Sequence, residues 1–173
     1  MRTAGLLGLA ALACASWDGA DAPDVPTGRL RALVVRAPTD TVRDTVRFEA
    51  PASAARCHGG RWLVLDAVTG GNGVLLWLRP GDSALAGRYG YAYRADTVPA
   101  RSATAAVRFM IGDMARGTTL DSGAVEVTEG DTGLAATVRG SGTSNFGAGR
   151  IVVDAEFTDV PPPRDSVPCA VEP

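Results

Sequence analysis

The chain contains no lysine, a single histidine and three cysteines, and aromatic residues make up only 6% of its 173 positions. Each scarcity removes a class of function. With one imidazole, a histidine-rich metal site is impossible, and any general-base role would fall on His58 alone. In Arg56-Cys57-His58-Gly59-Gly60 that ring reads as a loop residue beside a cysteine. All 17 basic residues are arginine, spread singly beside Asp or Glu, and the net charge is -2. Nucleic acid is therefore not an expected partner, because binding a polyanion needs a basic stripe. No apolar run reaches the roughly 20 residues that a membrane-crossing helix requires.

Motifs of catalysis are equally sparse. Ser141, in Gly140-Ser141-Gly142, and Ser144 nearby lack the G-x-S-x-G of a nucleophile elbow, and the segment Gly140 to Gly149 reads as a mobile Gly/Ser loop. No P-loop occurs, and Gly147-Ala148-Gly149 has neither the further glycine nor the strand–turn–helix setting of a dinucleotide site. Asp113, Asp121, Glu126, Glu129 and Asp131 do not follow calcium-loop spacing and read as a solvated acidic face. The expectation is a protein that is not an enzyme, with no catalytic residues, no metal site and no cofactor.

What is present begins at the N-terminus. Arg2 precedes a short apolar run, Ala4 to Ala13, that ends at Cys14, the layout of an export signal. Ala11-Leu12-Ala13-Cys14 resembles the lipobox of bacterial lipoproteins, although that family favours leucine three places before the cysteine and Ala11 stands there. The resemblance implies cleavage before Cys14, acylation of its thiol and a cell-envelope location outside the cytoplasm, with the membrane as a partner through lipid. Ala11-Leu12-Ala13 also fits ordinary signal cleavage, which would release a soluble secreted protein. Cysteine parity favours the lipoprotein: three cysteines leave one without a mate in an exported chain, and if Cys14 carries lipid, Cys57 and Cys169 remain as a disulfide pair. The other possibility for these two is a pair of unrelated buried thiols. Residues 1–13 form the signal segment and 14–27, small, acidic and proline-containing, a flexible tether. Residues 28–173 then form one domain, with an irregular tail from about 159, where Pro161-Pro162-Pro163 interrupts any ladder.

The body of that domain has period two. Ile151, Val153, Ala155 and Phe157 alternate with Arg150, Val152, Asp154 and Glu156, as in a half-buried strand. Val125 and Val127 alternate with Glu126 and Thr128, and Ala103, Ala105, Val107, Phe109 and Ile111 form a third such face. Strands are expected near Leu30–Arg36, Val42–Glu49, Arg61–Val68, Val74–Arg79, Arg88–Arg94, Ala103–Ile111, Gly123–Thr128, Leu134–Arg139 and Arg150–Thr158. Thr69-Gly70-Gly71-Asn72-Gly73 reads as a hairpin whose Asn-Gly supplies positive backbone angles. The unbroken run Val74-Leu75-Leu76-Trp77-Leu78 predicts a strand covered on both faces. The fold class is all-β, a single antiparallel sandwich or barrel of about eight or nine strands. The three C-terminal strands and their turns resemble the closing meander of small all-β lipoproteins of unknown function, which implies an extracytoplasmic β domain and supplies no catalytic residue.

Tyr89, Tyr91 and Tyr93 occupy alternate positions, so in a strand their rings share one face. Exposed, they would form a platform for a saccharide or protein partner; turned inward, they are core, and packing is the favoured reading. Two functions follow: a lipid-anchored module with a non-catalytic binding or structural role, or a β-barrel carrier of a small apolar ligand. An enclosed apolar cavity distinguishes the carrier.

Overall fold

The computed structural model describes residues 28–36, 44–57, 61–81, 84–92, 99–144, 149–163 and 166–167. Cys14, His58, Tyr93 and Cys169, together with the signal segment and tether, lie outside these residues. The described chain is all-β. Its strands are β1 (Gly28–Arg36), β2 (Asp44–Cys57), β3 (Leu63–Thr69), β4 (Asn72–Arg79), β5 (Gly87–Tyr91), β6 (Ser102–Ile111), β7 (Met114–Thr119), β8 (Ser122–Glu129), β9 (Leu134–Thr143), β10 (Arg150–Val160) and β11 (Ser166–Val167).

The period-two pattern admits both a sandwich and a barrel, and the pairing decides between them. Hydrogen-bonded neighbours run from β1 through β10, β9, β8, β5, β6, β4, β3 and β2, and β2 pairs back onto β1 from Gly28↔Ala52 to Arg36↔Asp44. The sheet is closed, so β1 has partners along both edges, which removes the exposed strand edge that an open sheet must protect. Pairing is antiparallel except where β5 meets β6 and β11 meets β2. Strand β6 divides its second edge: Ser102 and Ala103 pair with β5, whereas Ala106 to Ile111 pair with β7. Past β7 the chain bridges to β9, for the Leu120 amide donates to Ala105 O at 2.9 Å and the Asp121 amide to Ser141 O at 3.0 Å.

Alternation places one residue of every two inside. On β10, Ile151, Val153, Ala155 and Phe157 are buried and Arg150, Val152, Asp154 and Glu156 exposed. Leu30 and Val34 of β1, Leu63 and Leu65 of β3, Leu76 and Leu78 of β4, and Phe109 of β6 join them in one continuous core. Each large aliphatic or aromatic side chain buried there contributes about 1.5 to 3 kcal/mol relative to exposure.

Several sequence expectations change. The hairpin between β3 and β4 turns at Gly70-Gly71, with φ of 51° and 83°, while Asn72 and Gly73 already belong to β4. Glycine enters the left-handed region at no steric cost, which frees Asn72 to accept a hydrogen bond on Oδ1 from the Met110 amide at 2.9 Å. Residues 140 to 143 are not a loop but the end of β9, paired with β10 throughout and with β8 as far as Ser141. Strand β7 is additional to the expected set, and the C-terminal segment adds β11, parallel to β2 at Arg56 and Cys57. On β4, Leu75 and Trp77 are only half-buried, so the outer face is covered in part, by Trp62 standing edge-on to Trp77 with ring centroids 6.2 Å apart.

Candidate functional site

Tyr89 is core. Its side chain is fully buried, its hydroxyl donates to Leu85 O, and the Arg101 guanidinium stands 5.9 Å from its ring centroid. Burial raises its pKa, the positive charge of Arg101 opposes the rise, and Glu129 adds to it. A solvent-facing platform of three rings is thereby corrected at Tyr89: the pleat turns that ring inward, and the small Gly90 faces out. Tyr91, on the same side, is half-buried against the core and donates to Arg139 O at 3.4 Å, and burial pushes its pKa well up. Tyr93 lies outside the described residues.

Arg101 holds the loop before β5 in place. Its backbone has φ 58°, uncommon for a residue with a side chain, and its guanidinium donates to Ala86 O at 3.1 Å and Ala84 O at 3.2 Å. Cys57, 2% exposed at the end of β2, donates its amide to Trp62 O at 3.1 Å. The other two cysteines, Cys14 and Cys169, lie outside the described residues.

Ser141 and Asp121 are drawn into structural bonds. Ser141 Oγ lies 2.8 Å from Ser122 Oγ and accepts from Arg150 Nε at 3.2 Å, and the same guanidinium pairs with Asp121. A serine so engaged across three strands is a surface pin. Among the described residues, no group of three or more His, Cys, Asp or Glu side chains is placed to hold a metal ion. Glu126, on the exposed face of β8, stands apart from Asp121 and its arginine.

The outer faces differ in character. Across β2, β1, β10 and β9 the charges alternate in sign, with Arg31 3.1 Å from Glu49 and Arg139 3.6 Å from Asp154. Across β3, β4, β6 and β7 lies a groove of about 490 Å³, while a second, of about 590 Å³, lies among the charges of β1, β2 and β10. Cross-strand register builds the groove over β3, β4, β6 and β7 from two rows. The first runs Val68, Gly73, Arg108, Gly117, so that Arg108 rises between two residues without side chains. The second runs Asp66, Leu75, Ala106, Thr119 and supplies an apolar floor. Val68 is 58% exposed at the rim. Neither Arg108 nor Asp66 makes an ion pair or side-chain hydrogen bond among the described residues. Pockets of this size and polarity accommodate small molecules or a few side chains of a partner. None of these residues was legible as a site in the sequence, because Asp66, Gly73, Arg108 and Gly117 lie far apart in the chain and only strand register assembles them.

Comparison of the chain with protein-family models, curated proteins and solved structures gave no match. The geometry of the outer faces is accordingly the basis for a functional reading.

Proposed function

We propose that the protein is a lipid-anchored extracytoplasmic β module with a non-catalytic binding or structural role, tethered through Cys14. The observation that carries the binding half of this reading is the packed interior. Large side chains from opposite sides of the closed sheet, Leu30, Leu76, Phe109 and Phe157 among them, meet in one buried cluster, so a partner engages the outside of the barrel. This favours the module over a carrier of an apolar ligand, which needs an enclosed lumen. The reading pairs Cys57 with Cys169 in a disulfide, as an oxidising compartment favours. Strand β11 leaves the chain a few residues short of Cys169 and beside Cys57, which makes that closure short-ranged. In the chain-entropy model a loop of roughly 110 residues so closed contributes up to about 4 to 5 kcal/mol.

The anchor is tested by labelled-palmitate incorporation in cells expressing the full chain or its Cys14→Ser variant. The reading expects label in the former only. A mature, soluble and unlabelled product cleaved near Ala13 would establish plain secretion instead.

A further inference from the structure

We propose that the groove over β3, β4, β6 and β7 binds a small amphiphilic monocarboxylate, with Arg108 holding the carboxylate and Leu75, Ala106 and Val68 contacting the apolar body. The argument starts from what the groove leaves unmatched. On the opposite face Arg31 and Arg139 have carboxylate partners, whereas Arg108 stands in the groove without one and with five donors to satisfy. Gly117, its neighbour in register on β7, leaves that side open, since an added Cβ would meet only Val107 O at 3.8 Å, so an anion can approach the planar guanidinium edge-on and be held by paired hydrogen bonds.

The apolar part of the ligand is set by the second row. Leu75 is half-buried although it faces outward, and with Ala106 beside it the floor is low and without charge. Asp66 closes the far side. It lies on β3 and Arg108 on β6, two strand spacings across β4 and two residues along the strand, or roughly 12 Å apart. That is about the extended length of an eight-carbon acid. A second carboxylate at the far end would meet Asp66 and be repelled, so the site selects one anionic end and not two. The proposal names a ligand class for the outer-face binding role above and rests on that reading only for its biological setting.

The experiment titrates octanoate, suberate and octylammonium into the full chain, following backbone amide shifts of Gly73, Leu75, Arg108 and Gly117. Octanoate is expected to give saturable shifts at these amides, weakening as salt is raised, with suberate weaker and octylammonium without effect. Arg108→Gln should weaken octanoate about five-fold, the scale of an exposed ion pair, with the rest of the spectrum unchanged. Asp66→Asn should bring suberate to the affinity of octanoate. Absence of saturable shifts, equal binding of octylammonium, or octanoate binding indifferent to Arg108→Gln each overturns the proposal. Failure here with palmitate incorporated at Cys14 leaves the anchored module standing; octanoate binding by an unacylated chain leaves the groove standing without the anchor.

Discussion

Replacing Tyr89 with alanine removes the largest ring that β5 contributes to the interior. The side chain is fully buried, packs in the cluster that includes Phe109 and Phe157, and carries its hydroxyl to Leu85 O. Truncating a buried aromatic to alanine costs about 3 to 5 kcal/mol, because the lost transfer free energy is joined by a cavity that the surrounding strands fill only partly. Tyr89→Phe keeps the ring and its contact with Arg101 but leaves the Leu85 carbonyl without this donor, for about 1 kcal/mol. In a domain of this size each kcal/mol lowers the midpoint by roughly 3 °C, so the two variants should melt about 10 °C and about 3 °C below the parent. Urea titration followed by tryptophan fluorescence gives both free energies; Trp62 and Trp77, in edge contact, report on the adjoining face of the sheet. Parental stability for Tyr89→Ala would refute the reasoning, since it would mean that β5 is shifted by one residue and presents Gly90 to the core.

The same alternation predicts opposite outcomes at two adjacent positions. Val153→Asp, at a site 1% exposed, should cost more than about 4 kcal/mol or prevent folding, whereas Val152→Asp, at a site 55% exposed, should stay within about 0.5 kcal/mol of the parent by urea denaturation. Alkaline pH should unfold the protein through its buried phenols. Burial raises the folded pKa of Tyr89 and Tyr91 above the ordinary value of 10.0, so their contribution is intact below about pH 10 and is lost as pH rises toward the folded values. Tyrosinate absorbance and loss of the β circular-dichroism signal should then move together, and full ionisation of both rings in a still-folded chain would contradict their placement. Reduction of the proposed Cys57–Cys169 disulfide should lower the urea midpoint by an amount equivalent to about 2 to 4 kcal/mol, while Cys169→Ser alone should reproduce that loss; a Cys169→Ser chain as stable as the parent would exclude the pairing.

Much of the fold was legible because the core signal is local. On β1, β6, β8 and β10 a buried residue recurs at every second position, and no knowledge of the partner strand is needed to see it. Strand β7 has no such signal: Met114-Ala115-Arg116-Gly117-Thr118-Thr119 turns Thr118 inward, where its hydroxyl donates to Thr143 O at 2.7 Å, and it is held as a strand by β6. The end of β9 was hidden by its composition. Gly140 and Gly142 look like loop punctuation, yet an added Cβ would lie 2.5 Å from Ser122 O and 2.3 Å from Thr119 O respectively, so glycine is there to admit neighbouring backbones. Closure and the groove both depend on which distant strands become neighbours, and that is a property of register that no single segment encodes.

The claim on which the rest depends is that the sheet closes between β1 and β2, and amide hydrogen exchange along β1 tests it most directly. Alternate amides of β1 point toward β10 and toward β2. A closed sheet should therefore protect every amide from Leu30 to Val35 to a similar degree, and fast exchange at every second one would show an open edge.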